Sequence, residues 1–133
     1  MKTRRLNIGI RNSAERAKAL YEAVQRVTHG DHTPQEPELY FENVEQLRRM
    51  LTNKRLDLLH TIARHHPTSV HQLAELVHRD YKNVSTDIEL LERLGLVNVG
   101  APTGKGRSHA LSVPYDEIRL TIKLGQRKKL HAA

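Results

Sequence analysis

Leu6, Ile8 and Ile10 alternate with Arg5, Asn7 and Gly9, and a period of two over this length predicts a short strand. The period then changes. Asn12 opens Asn-x-x-Glu15, the spacing at which two side chains can each cap the other's backbone N–H. Ala17, Leu20, Tyr21, Val24 and Val27 follow at helical intervals as far as Gly30. The Leu20, Val24 and Val27 stripe needs cover. Either it lies on the helical core that follows, or it is a surface for self-association or for a protein partner. Residues 31–37, with Pro34 and Pro37, read as a polar linker and residues 39–41 as a short second strand.

From Asn43 to Leu94 the pattern is helical with regular punctuation. Asn43-x-x-Gln46 caps a short helix containing Leu47, Met50 and Leu51. Thr52 caps the next, with Leu56, Leu59, Ile62 and Ala63 expected to face the core until His66-Pro67 stops it. Ser69-x-x-Gln72 is a further capping box, opening a helix with Leu73, Leu76 and Val77 inside; residues 78–80 form the turn. The last helix, Tyr81 to Leu94, places Val84, Ile88, Leu91 and Leu94 on one stripe, and Gly95 supplies a left-handed end. Leu96 to Gly100, a glycine-rich loop over 102–108 and residues 110–113 then read as a β-hairpin. Finally Ile118, Leu120, Ile122 and Leu124 alternate with Arg119, Thr121 and Lys123, the pattern of a half-exposed strand with a basic outer face, expected to pair with the first strand.

The expected fold is mostly α with small β elements, an α+β arrangement. A winged helix-turn-helix occupies residues 43–113, preceded by a strand–helix extension and linker (1–42) and followed by a strand and basic tail (114–133). A chain of 133 residues with 38% hydrophobic and 28% charged side chains suits one such domain with appendages and argues against wholesale disorder. Cysteine is absent, which excludes disulfides, a thiol nucleophile and Cys-ligated metal. The basic start is followed by an apolar run broken at Asn7, Gly9 and Arg11, too short for a signal h-region or a membrane span, so a soluble, cytoplasmic protein without membrane contact is expected.

Charge sharpens the picture because of where it lies. The formal net charge is +7, which points to an anionic partner. Residues 1–42 hold seven basic and six acidic side chains, residues 43–100 eight and seven, and residues 101–133 seven and two. The excess belongs to the hairpin, the last strand and the tail.

A helix that reads DNA must bury one stripe and present short polar or basic groups on the other, since its width of about 10–12 Å fits a major groove of about 12 Å. Opposite Val84, Ile88 and Leu91 stand Tyr81, Lys82, Asn83, Ser85, Thr86 and Glu89. Asn83 suits adenine N6 and N7, Lys82 a guanine edge or a phosphate, Ser85 and Thr86 either kind of contact, and Tyr81 a phosphate oxygen. At the hairpin tip, Lys105 and Arg107 flank Gly104 and Gly106, where they can straddle a phosphate ridge or enter the minor groove. Gly100 to Lys105 fails as a nucleotide phosphate loop: its spacing is one residue short, no Ser or Thr follows the Lys, and a hairpin succeeds it. His29-x-x-His32, His60 and His65-His66 have no carboxylate that completes a recognisable site, so no metal or cofactor is expected. No nucleophile–base order or paired-carboxylate spacing stands out, and no enzyme activity is expected.

Residues 83–97, followed by a Gly/Lys/Arg hairpin, resemble the MarR- and ArsR-like winged-helix transcription regulators. More narrowly, the chain resembles prokaryotic DNA-binding proteins encoded beside a small toxin as antitoxins of TumE-type toxin–antitoxin pairs. The residues that carry this are Leu6–Ile10, Phe41–Glu45, Leu51–Arg55, Arg79–Lys82 with Val84 and Asp87, Gly95-Leu96 and Pro114–Ile118. The resemblance implies a transcriptional regulator, a repressor that acts on its own operon. It implies groove contacts at Lys82, Asn83, Ser85 and Thr86 and wing contacts at Lys105 and Arg107. The expected partners are double-stranded DNA, a second copy in a homodimer and a cognate toxin protein. The long terminal dimerisation helices of larger MarR proteins are missing. Two alternatives stay open: an interaction module whose essential act is neutralising a toxin, and a ligand- or metal-responsive sensor.

Overall fold

The computed structural model describes residues 3–103 and 108–125. The fold is α+β, in the order β1 (Arg5–Ile10), α1 (Ser13–Thr28), β2 (Glu38–Phe41), α2 (Val44–Met50), α3 (Asn53–His65), α4 (Val70–Val77), α5 (Tyr81–Arg93), β3 (Asn98–Thr103), β4 (Ser108–Ser112) and β5 (Glu117–Thr121). The chain clusters into two compact units. The larger is built on Arg48–Glu117; the smaller takes Arg5–Leu47 together with residues 118–125.

In the larger unit, α3, α4 and α5 pack through Leu58, Leu59, Ile62, Leu73, Ala74, Val84, Ile88 and Leu91, all buried, and Leu96, Val97 and Leu111 extend this core into the hairpin. Val84, Ile88 and Leu91 form the buried stripe of α5, while Leu94, expected on the same stripe, is its half-buried C-cap residue. On α3 the inward face is rotated from the expected one: Leu58 joins Leu59 and Ile62, while Leu56 is half-buried and Ala63 exposed. Five apolar residues in this helix offer two overlapping faces, and packing selects the one with the larger side chains at its centre. Leu76, expected inside α4, is also exposed.

Local chemistry sets the helix ends. Thr52 and Ser69 accept hydrogen bonds from the backbone N–H groups of Arg55 and Gln72. The Gln72 side chain accepts from the N–H of Thr68 at 2.7 Å, one residue before the cap, so the reciprocal bond expected at Ser69 is displaced by one position. Gln46 does the same with the N–H of Glu42. α5 closes with Leu96 N–H bonded to the Leu91 carbonyl and Gly95 N–H to that of Glu92, with Gly95 at φ +79. This is the double bond of a Schellman end, and it turns the chain directly into the hairpin. β3 and β4 pair antiparallel with a register shift between Val99 and Pro102, and the hairpin is tied to the α3–α4 connection by the N–H of Leu111 on the carbonyl of Pro67, 3.0 Å.

The smaller unit is a β1–α1–β2 crossover with β1 and β2 parallel, and β5 joins as the third strand in the order β2-β1-β5. The expected pairing of the last strand with the first is therefore present. β5 ends at Thr121, however, and Leu120, Ile122 and Leu124 are exposed, so the alternating apolar positions do not define a covered face. Both halves of the Asn12/Glu15 capping box are formed. No residue of α1 is buried: Leu20 is 67% exposed, Tyr21 65%, Val24 53% and Val27 56%. Within the smaller unit the stripe is thus left uncovered. Amphipathic spacing shows that a helix has an apolar side, but not what it faces.

Candidate nucleic-acid interface

The turn between α4 and α5 is made from residues that a sequence pattern does not flag. α4 ends in a second Schellman arrangement, with His78 N–H on the Glu75 carbonyl and Arg79 N–H on that of Ala74, 3.1 Å. Here the left-handed residue is His78, φ +55 and ψ +47, in the place where glycine is usual. Arg79 then points back toward α5, and one of its terminal nitrogens donates to Asp87 at 2.8 Å. Arg55, from the first turn of α3, donates through Nε to the other oxygen of Asp87 at 3.1 Å and through a terminal nitrogen to the carbonyls of Arg49 and Met50. One carboxylate therefore ties α3, the turn and α5 together. Its side chain is 13% exposed and each arginine side chain 20%. The remaining terminal nitrogen of Arg79 is buried without a partner.

Held this way, α5 presents an outward face. At about 100° per residue, Lys82, Thr86 and Glu89 lie opposite the buried Val84–Ile88–Leu91 stripe, and all three are exposed. Asn83 is exposed on one flank, and Ser85 is half-buried on the other. Helical geometry sets these two about 160° apart, so they cannot address the same base edge. Tyr81 does not share the central face: its ring stacks on His71 of α4 with centroids 3.9 Å apart and planes 11° from parallel. The two rings join the first turns of α4 and α5, and both residues stay exposed. Thr86 donates its hydroxyl proton to the carbonyl of Lys82 at 3.0 Å.

Lys105 and Arg107 lie outside the described residues. The sequence missed the Arg55–Asp87–Arg79 network, because its members are separated by 32 and 8 positions and no local spacing links them. It also missed His71, whose role depends on the angle between α4 and α5. Among the described residues, no three His, Asp or Glu side chains converge where a metal could sit, and no helix is long and apolar enough to cross a membrane.

The smaller unit has a surface of its own. Gly9 lies against the ring of Tyr40, where a Cβ would come within 2.8 Å of the ring, so a larger residue here would displace it. The Arg11 guanidinium covers that ring at 3.9 Å. Burial, followed by the hydroxyl's hydrogen bond to Glu38, pushes the Tyr40 phenol up to about 12. The cavity beside these groups is only about 60 Å³, well below the 300 Å³ or so of ordinary ligand pockets. A wider groove along α1 opposes Arg11, Lys18 and Lys123 to Glu15 and Glu22, a mixed lining without a convergent set of one sign.

These features define an α+β protein whose larger unit joins two helices by a tight, ion-paired turn and follows them with a hairpin. Residues 50–120, more than half of the chain, match the family HVO_A0114, and the protein belongs to that family. No curated protein matches the chain.

Proposed function

We propose that the larger unit is a winged helix-turn-helix and that the protein is a sequence-specific DNA-binding transcriptional regulator acting as a repressor. The observation that carries this reading is the outward face of α5. A helix anchored by its buried stripe and the Asp87 network exposes Lys82, Asn83 and Thr86 on its N-terminal half, the half that enters the major groove in helix-turn-helix proteins. α5 itself carries two basic and three acidic side chains, so selectivity comes from this face and most of the affinity from the basic hairpin and C-terminal residues, Lys105 and Arg107 among them. Binding of the Lys82→Ala/Asn83→Ala variant to DNA from upstream of its own gene tests this. The variant should lose sequence preference while keeping the wild-type melting temperature, whereas unchanged preference would refute the assignment.

A second reading, in which the protein also binds a partner protein and acts as the antitoxin of a toxin–antitoxin pair, is favoured by the uncovered Leu20, Tyr21, Val24 and Val27 stripe of α1, because exposed apolar stripes of this kind mark protein-binding surfaces. The same stripe can serve a homodimer, which a DNA-binding protein of this kind uses to reach two half-sites about 34 Å apart. Co-expression with the product of a neighbouring small gene that is toxic alone separates the two.

A further inference from the structure

At the centre of the outward face of α5, one side chain has already committed its hydrogen-bond donor. Thr86 is exposed, yet its hydroxyl proton is donated to the Lys82 carbonyl one turn earlier, at 3.0 Å. Ser and Thr can make this bond within a helix, and it satisfies a carbonyl lone pair at the expense of the side chain's outward reach. What Thr86 still offers to an approaching surface is a methyl group and an oxygen that can only accept. The neighbours one turn away on either side differ in kind: the Lys82 ammonium is donor-only and the Glu89 carboxylate acceptor-only.

Major-groove edges present acceptors at guanine O6 and N7, adenine N7 and thymine O4, donors at the cytosine and adenine amino groups, and a single apolar feature, the C5-methyl of thymine. A residue without a free donor cannot engage guanine O6 and N7 or thymine O4. Glu89, as an acceptor, is the better partner on this face for a cytosine or adenine amino group. The methyl of Thr86 is matched only by the thymine methyl. We infer that Thr86 is a specificity-determining residue that reads a thymine in each half-site through methyl–methyl contact. This inference rests on the proposal that α5 reads DNA.

The test begins with wild-type full-length protein and duplexes selected by it from a randomised pool at physiological salt. Each thymine in the selected site is then replaced by deoxyuridine, which removes the C5-methyl and nothing else. One position per half-site should lose about fourfold in affinity, the effect of one methyl group taken out of water. Thr86→Ser, which keeps the hydroxyl and its bond to Lys82 but lacks the methyl, should show the same loss on thymine DNA and no further loss on deoxyuridine DNA. Thr86→Val should retain the preference. If the protein selects a sequence but deoxyuridine costs less than about twofold everywhere, or if the two losses add, Thr86 does not read thymine although α5 still reads DNA. A wild-type protein that selects no sequence at all overturns the underlying proposal and this inference together.

Discussion

Asp87→Asn is the most informative single change in the larger unit. The carboxylate accepts from Arg55 at 3.1 Å and from Arg79 at 2.8 Å, with all three side chains at least four-fifths buried. Asparagine has nearly the same shape, but it keeps one acceptor and presents an NH2 group to the second guanidinium. Two cations then lose their counter-charge in a site where Arg79 already has one buried nitrogen without a partner. Removing one member of a fully buried ion pair costs about 3–5 kcal/mol, and the residual exposure here lowers the expectation to about 2–4 kcal/mol. At about 0.05–0.15 kcal/mol per residue, that is about a fifth or more of what a unit of this size possesses. Urea unfolding of the full chain, followed by far-ultraviolet circular dichroism, should show a lower midpoint with an unchanged slope. Replacing all three residues with apolar side chains of similar volume should restore most of the loss, because the desolvation penalty disappears together with the pairing. A loss below about 1 kcal/mol for Asp87→Asn would refute the view that this network fixes the turn.

His78 occupies a left-handed position, so His78→Gly should raise stability by up to about 1 kcal/mol, read as a higher melting temperature. Leu91→Ala, at a fully buried site between α5 and its neighbours, should cost about 2–5 kcal/mol in the same assay. Leu20→Glu/Val24→Glu should leave the unfolding midpoint of the monomer almost unchanged, since both sites are exposed, and should weaken any dimer or partner complex in sedimentation. Tyr40 has its folded value raised to about 12, so the native protein holds that proton after the unfolded chain has released it. Its stabilising contribution is complete below the ordinary phenol value of about 10 and is lost as pH rises through about 12. A tyrosinate absorbance step near 12 that disappears in Tyr40→Phe checks this.

Much of the fold was legible because its signals are local. The Asn12/Glu15 box, the Val84–Ile88–Leu91 stripe and the Gly95 turn each depend on residues within two helical turns, and the α+β class follows from their order. Information that depends on packing was not legible. The α3 pattern did not choose between Leu56 and Leu58 at the centre, and nothing marked His78 as a left-handed residue. For the site, Lys82 and Thr86 were readable as the side of α5 opposite the stripe, but the positions that orient this face, Arg55 and Arg79, come from elsewhere in the chain. The stacking of the Tyr81 ring on His71 joins residues of two different helices, and no local spacing marks it.

The central claim is that the protein reads DNA with α5 and binds its backbone with the basic residues beyond it. A salt titration of wild-type protein on a selected duplex and on a random one tests it most directly. Affinity should fall steeply with salt for both, with a log–log slope of about −0.9 per phosphate contact. The selected duplex should stay tighter by a roughly constant factor, and that factor should vanish in Lys82→Ala/Asn83→Ala without a large change in slope. Absence of binding at low salt, or identical curves for the two duplexes, would contradict the account.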